Sequence, residues 1–243
     1  MSSKNSTFLK FVKRYPAFKK IYFFYNIYIR NKNFYFSNSQ FGEEKKIMKH
    51  FEKNYKGNFI DLGCFHPTKH NNTFKMYKSG WRGINIDLNP LTIELFNYAR
   101  PKDINICAAI SNKIASKKLY FTGDLSTTNT IEKNHVNLLK RHFKIKNKEI
   151  KIKKIKTQKL DSILEKYKYD KIDFMNIDIE GHELDVLRSL NLSKFNIRLF
   201  CIEIIDHDKF SKLRKKQLLS FFKKNGYILK DKSVINFIFK KKY

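Results

Sequence analysis

Acidic residues are in short supply. Only 22 Asp and Glu stand against 51 Lys and Arg, leaving a net charge of +29 over 243 residues. Arginine is scarce as well, since 43 of those basic residues are Lys and 8 are Arg. Base-edge and bidentate phosphate recognition favour Arg, so the Lys excess reads as compositional bias, and a nucleic-acid partner is not expected. The three cysteines, Cys64, Cys107 and Cys201, lie far apart with no C-x-x-C pair. That excludes a disulfide scaffold or zinc ribbon and predicts three small buried side chains in a reducing compartment. No apolar run approaches the roughly 18 residues of a membrane span; the longest is Ile21 to Tyr25. The first residues lack the apolar stretch and cleavage site of a signal peptide, so a cytoplasmic location is expected. Glycine is rare, and neither G-x-G-x-x-G nor G-x-x-x-x-G-K-[ST] occurs, which argues against nicotinamide and ATP cradles.

What is present is a hydrophobic content of 42% with 15% aromatics, enough for one sizeable core. Residues 1–40 carry eight Lys or Arg and no acid, with Phe8, Phe11, Val12, Tyr15, Phe18, Ile21 or Tyr22, Tyr25 and Tyr28 at helical spacing and Pro16 at a joint. This basic, aromatic-rich extension, residues 1–38, is expected either to pack on the domain as an extra helix or to touch an anionic membrane through residues 1–30. The membrane alternative would put the protein at the inner face of a membrane.

Residues 39–243 read as one domain. After a helix from about Glu43 to Tyr55 comes Asn58 to Pro90, which reads as strand, loop, helix, strand. Asp61 and Gly63 end the first strand, and Asp87 ends the second. Such a crossover unit can cradle a nucleotide, the terminal acid taking ribose hydroxyls. Further strands are expected at 104–110, 117–122, 149–157, 172–178 and 197–205. Helices alternate with them, and a strand–turn–strand pair over 227–239 closes the chain. In the strand at 149–157 isoleucines alternate with lysines, which predicts one covered face and one solvated face. The overall order predicts an α/β fold with a mainly parallel sheet and an antiparallel last strand.

Ligands bind beyond the carboxyl ends of such strands. Acids collect there in a chain otherwise short of them: Asp61, Asp87, Asp178, Glu180, Glu183 and Glu203. An anionic rim suits a cationic, hydroxyl-rich cofactor better than a phosphate. His66 and His70 read as polar loop residues. His182-Glu183-Leu184-Asp185-Val186 is not H-E-x-x-H, and no metal site is expected, the spacing of Asp178, Glu180 and Glu203 being weak support for one.

The motifs FIDLGCFHP, NNTFKMYKSGWRGINIDLNP, RPKDINICAAIS and IDFMNIDIEGHELDVL occur in that order, after an upstream SQFGEE. Together they resemble the FkbM family of S-adenosylmethionine-dependent methyltransferases. The resemblance implies the Rossmann-like class I methyltransferase fold, a seven-stranded sheet with helices on both faces. It also implies S-adenosyl-L-methionine as cofactor, with Asp61 and Gly63 at its amino-acid end and Asp87 at its ribose. Ala108 lies in the segment that would border the adenine, and Cys64 and Leu88 belong to the same cofactor set. One departure is His66-Pro67, which stand where many methyltransferases continue a glycine-rich turn. DIEGHE would mark the acceptor side. There Asp178 is the first choice of base, with Glu180 and His182 behind it, although Asp178 and Glu180 could instead cap the following helix. The expected reaction is O-methylation of a small molecule or a sugar or glycan precursor. The alternative is a basic nucleic-acid-binding protein on a non-catalytic methyltransferase-like fold.

Overall fold

The computed structural model describes Val12 and residues 14–35, 39–143, 145–206 and 208–242. The expected helical stretch around Phe8 and Phe11, and the domain boundary at residue 38, lie outside the described residues. The first helix, α1 (Pro16–Phe24), starts on proline, whose missing N–H costs nothing at that position. It runs on into a π-helical turn, Tyr25–Arg30. Tyr22, Phe23 and Ile27 on its inward face pack with Val12 against Leu91 and Leu95 of a later helix.

Helix α2 (Glu43–Met48) follows, and it is shorter than the expected span to Tyr55. The reason is tertiary. The Tyr55 hydroxyl donates to Asp173 at 2.7 Å, and the Tyr55 carbonyl accepts from the Trp81 indole at 2.7 Å. Phe51 meets the same indole edge-on, and the chain leaves the helix to make these contacts.

The crossover unit is then β1 (Asn58–Leu62), α3 (Phe74–Lys78), β2 (Arg82–Asp87) and α4 (Pro90–Ala99). Asn89 caps α4 by accepting from the Leu91 N–H. The strand expected at 104–110 is broken in two. β3 (Ile104–Cys107) stays in the main sheet, but at Ala108 the chain crosses over, and β4 (Ala109–Ile110) pairs with a different sheet. Cys107, at the end of this edge strand, is exposed, unlike buried Cys64 and Cys201. The expectation of three buried cysteines therefore fails where the sheet runs out.

The smaller sheet adds β5 (Ser116–Phe121) and, after α5 (Lys133–Phe143), β6 (Lys151–Gln158), in the order β4-β6-β5. The isoleucines of β6 are not a covered face, since Ile152 is 62% exposed. This sheet stands off the core with both faces open along most of β6. The chain returns through α6 (Leu160–Lys166) to β7 (Lys171–Ile177), α7 (Glu183–Ser189), β8 (Asn196–Glu203), α8 (Lys209–Lys224), β9 (Tyr227–Ser233) and β10 (Asn236–Lys241).

The main sheet has the order β3-β2-β1-β7-β8-β10-β9, parallel throughout except for β10, which runs antiparallel to both neighbours. Between β1 and β2 on one side and β7 on the other, successive crossovers leave in opposite directions. A crevice therefore opens above the carboxyl ends of β1 and β7. Ile60, Leu62, Met175, Ile177 and Phe200 fill the core below it.

Candidate active site

All nine residues singled out from the sequence line one cavity of about 540 Å³ above that crevice. They are Asp61, Gly63, Cys64, Asp87, Leu88, Ala108, Asp178, Glu180 and His182. The volume falls in the range of small-molecule sites. Gly63 makes the floor tight. Its φ is +76°, and any Cβ there would run into the Asp178 carbonyl, so only glycine lets the two loops touch.

Asp61 is wholly buried and tied into protein. Asn176 donates to one oxygen at 2.9 Å, and Thr73 at 2.8 Å and Asn71 at 3.3 Å donate to the other. Arg100, also buried, donates to Thr73 Oγ1 and Asn71 Oδ1 behind them. Burial raises the Asp61 pKa, against the pull of these donors and the guanidinium.

Asp87 accepts backbone N–H bonds from Asn89 at 2.7 Å and from Phe65 at 3.2 Å, one to each oxygen. Each oxygen keeps a lone pair for a hydroxyl. Burial pushes its pKa up to about 6 even so. Beside it the buried Asn89 Nδ2 has no hydrogen-bond partner. The strand-end acid and the apolar Leu88 and Ala108, all on the cavity wall, suit a ribose carrying a flat base.

The far side of the cavity is acidic. Burial first, and then Glu180 and Glu183, push Asp178 well above the usual carboxylate range. Glu203 rises in the same way, from burial and then from the Asp178, Glu180 and Glu183 charges. Acids crowded in this way give up their protons one after another and not together. Glu180 sits at φ +54°, a strained backbone for a non-glycine residue. Its carboxylate accepts from His135 Nε2 at 2.6 Å, and burial outweighs that bond to leave its pKa raised.

Neither Asp178 nor Glu180 caps a helix. The cap of α7 is His182 with no side-chain bond, and Gly181 N–H is taken by Glu183. His182 is 2% exposed, and its Nδ1 has no hydrogen-bond partner. Its Nε2 lies 3.2 Å from Lys117 Nζ and 2.9 Å from Ser111 Oγ. An ammonium only donates, so Nε2 accepts and Nδ1 carries the proton, 3.2 Å from Asp185. Glu132 completes this group, its pKa lowered chiefly by His182. Among the described residues, Glu132, His182 and Asp185 place three potential ligand atoms within 4.8 Å of one another, with the Lys117 ammonium already beside the imidazole.

His66 is not a solvated loop residue. It is buried, and its Nδ1 accepts the N–H groups of Thr68 and Lys69 at 3.2 and 3.0 Å. Nε2 therefore carries the proton and donates to Asn26 in the π-helical turn at 2.8 Å. Burial, and then the Lys69 charge, lower its pKa to about 3. The His66-Pro67 departure is thus the point where the N-terminal helix holds the loop that lines the cavity.

Sequence reasoning missed Asn72, Asn176 and His135, which also line the cavity. Asn176 had one visible signal, since it lies two residues before Asp178 in the same motif. The loop at 123–129 is preorganised by Thr122 Oγ1, which lies 2.8 Å from Ser126 Oγ and 2.7 Å from Thr128 Oγ1.

The parallel sheet with one reversed strand, and a crevice floored by Gly63 and flanked by Asp87, define a Rossmann-like fold of the class I methyltransferase type. The family model for the methyltransferase FkbM domain matches residues 35–229, and the chain belongs to that family. The chain is similar to the solved FkbM methyltransferase of Methylobacillus flagellatus, at 12% identity and TM-score 0.44 over 76% of this chain. It spans only 43% of the length of that protein. A TehB-like SAM-dependent methyltransferase from Corynebacterium glutamicum aligns at 14% identity and TM-score 0.42, over 89% of this chain and 97% of its own. The precorrin-6y C5,15-methyltransferase of Geobacter metallireducens aligns at 7% identity and TM-score 0.42, over 82% and 88%. No curated protein matches the chain.

Proposed function

We propose that the protein is an S-adenosylmethionine-dependent O-methyltransferase acting on a hydroxyl of a small molecule or of a sugar or glycan precursor. The observation that carries this reading is the division of one cavity. Asp87, with a free lone pair on each oxygen, lies on one side, and the Asp178–Glu203 carboxyl pair lies on the other.

When bound, S-adenosylmethionine supplies an electrophilic methyl group on a sulfonium. Asp87 would hold the ribose hydroxyls, with Leu88 and Ala108 beside the base. Asp61, Gly63 and Cys64 would border the amino-acid end, Asp61 through the acceptor capacity left after its three protein donors. On the acceptor side, Asp178 takes the proton that the hydroxyl loses. Its raised pKa makes it a stronger base once ionised, and the Asp178 charge together with burial favours a protonated Glu203 beside it. Glu180, held by His135, and the amides Asn72 and Asn176 orient the acceptor, and positioning supplies much of the rate. His182, at the cavity wall, is held through Nε2 by Ser111 and Lys117 and stands behind Asp178 as a base.

Titration of the protein with S-adenosylmethionine in a calorimeter tests this. One-to-one binding is expected, weakening as the pH falls below about 6 and Asp87 takes a proton. No binding at neutral pH overturns the reading.

A further inference from the structure

The outward face of α1 and its π-helical turn is as apolar as the face packed inward. Tyr22, Phe23 and Ile27 sit on Leu91 and Leu95, whereas Ile21, Phe24, Tyr25 and Ile29 point to solvent at spacings of three and four residues. Ile21 is 64% exposed and Ile29 52%. A helix with apolar side chains all round is one that is covered all round. Cations are exposed along the same segment, at Lys20, Arg30 and Lys32, and no acid occurs in residues 1–40.

We propose that this face docks on an anionic phospholipid bilayer. Aliphatic and aromatic side chains enter the boundary between headgroups and acyl chains, and the exposed Lys and Arg meet the lipid phosphates. The helix lies flat on such a surface, because among the described residues no helix is long and apolar enough to cross a membrane. A bilayer fits better than the other occupants. A nucleic acid would meet the cations but leave Ile21 and Ile29 in water, and a second copy would bring the same cations face to face. The surface lies on the side of the helix away from Asn26 and His66, and the inference does not rest on the methyl-transfer reading.

The test is co-sedimentation of the full chain with phosphatidylcholine vesicles, with and without phosphatidylserine. Two variants are compared, Ile21→Gln/Tyr25→Gln/Ile29→Gln and Lys20→Glu/Arg30→Glu, each checked by thermal melting. The wild type is expected to sediment with the phosphatidylserine vesicles only and to be released by salt. Each variant should lose binding about tenfold or more. Four results overturn the proposal. The first is no sedimentation of the wild type, and the second is undiminished binding by both variants. The third is a wild-type dimer that the apolar variant converts to monomer. The fourth is binding to single-stranded RNA that needs the same residues while vesicle binding does not.

Discussion

Asp61 and Asp178 leave the ends of adjacent parallel strands, and both are pushed up by burial, yet they are held in opposite ways. Around Asp61 stand neutral donors, Asn176, Thr73 and Asn71, with the Arg100 guanidinium behind them. Around Asp178 stand Glu180, Glu183 and Glu203, all acids. Burial alone does not mark a carboxylate as chemical or structural. Its neighbours do, and here the satisfied acid ties two strands and a loop together while the crowded one stays available to a ligand.

The largest expected effect breaks this contrast at Asp178. Asp178→Asn should lower methyl transfer by about 10²–10⁴-fold to any hydroxyl acceptor the wild type uses. The same change removes a like charge, so the urea midpoint should hold or rise; a marked loss of stability with activity intact would reverse the assignment. Asp61→Ala should do the opposite to the fold, costing about 2–4 kcal/mol in urea unfolding, because it leaves three donors in the interior without their acceptor and takes from Arg100 one of its two nearby acids, Asp103 being the other.

A smaller effect concerns His66, which is buried and satisfied like Asp61. Its folded pKa lies near 3, below the unfolded value of about 6.5, so the unfolded chain binds its proton first. Stability contributed by neutral His66 is therefore complete above about pH 6.5 and is lost as the pH falls toward 3, at no more than about 1.4 kcal/mol per pH unit. His66→Gln should flatten that slope in denaturation measured from pH 7 to 4, and an unchanged slope would remove His66 as its source. The smallest effect sharpens the Asp178 side. Glu180→Gln removes the charge that, after burial, most raises Asp178, so the acid limb of the pH–rate profile should move down by about one unit. Movement upward would mean that Glu180 does not act on Asp178 as a like charge.

Much of this was legible in the sequence. Alternating strands and helices, and a final pair of strands, gave the sheet and its reversed member, because apolar periodicity reports burial directly. Strand-end acids pointed to the cavity because strand ends converge there in any open parallel sheet. Three things were not legible. The switch of sheets at Ala108 depends on which strand its neighbours meet, and 104–110 reads as one apolar run either way. The exposure of Ile152 depends on a sheet standing off the core, which alternation cannot reveal. The His66–Asn26 bond joins residues 40 positions apart, and polar loop residues carry no pattern that marks a distant partner.

The central claim is that one cavity holds the cofactor on its Asp87 side and does its chemistry on its Asp178 side. The most direct measurement is the S-adenosylmethionine affinity of Asp87→Asn and Asp178→Asn, side by side in a calorimeter. The account predicts that Asp87→Asn weakens binding by about tenfold or more, through loss of charged hydrogen bonds, while Asp178→Asn binds as the wild type does. Equal losses in the two variants, or a loss confined to Asp178→Asn, would contradict it.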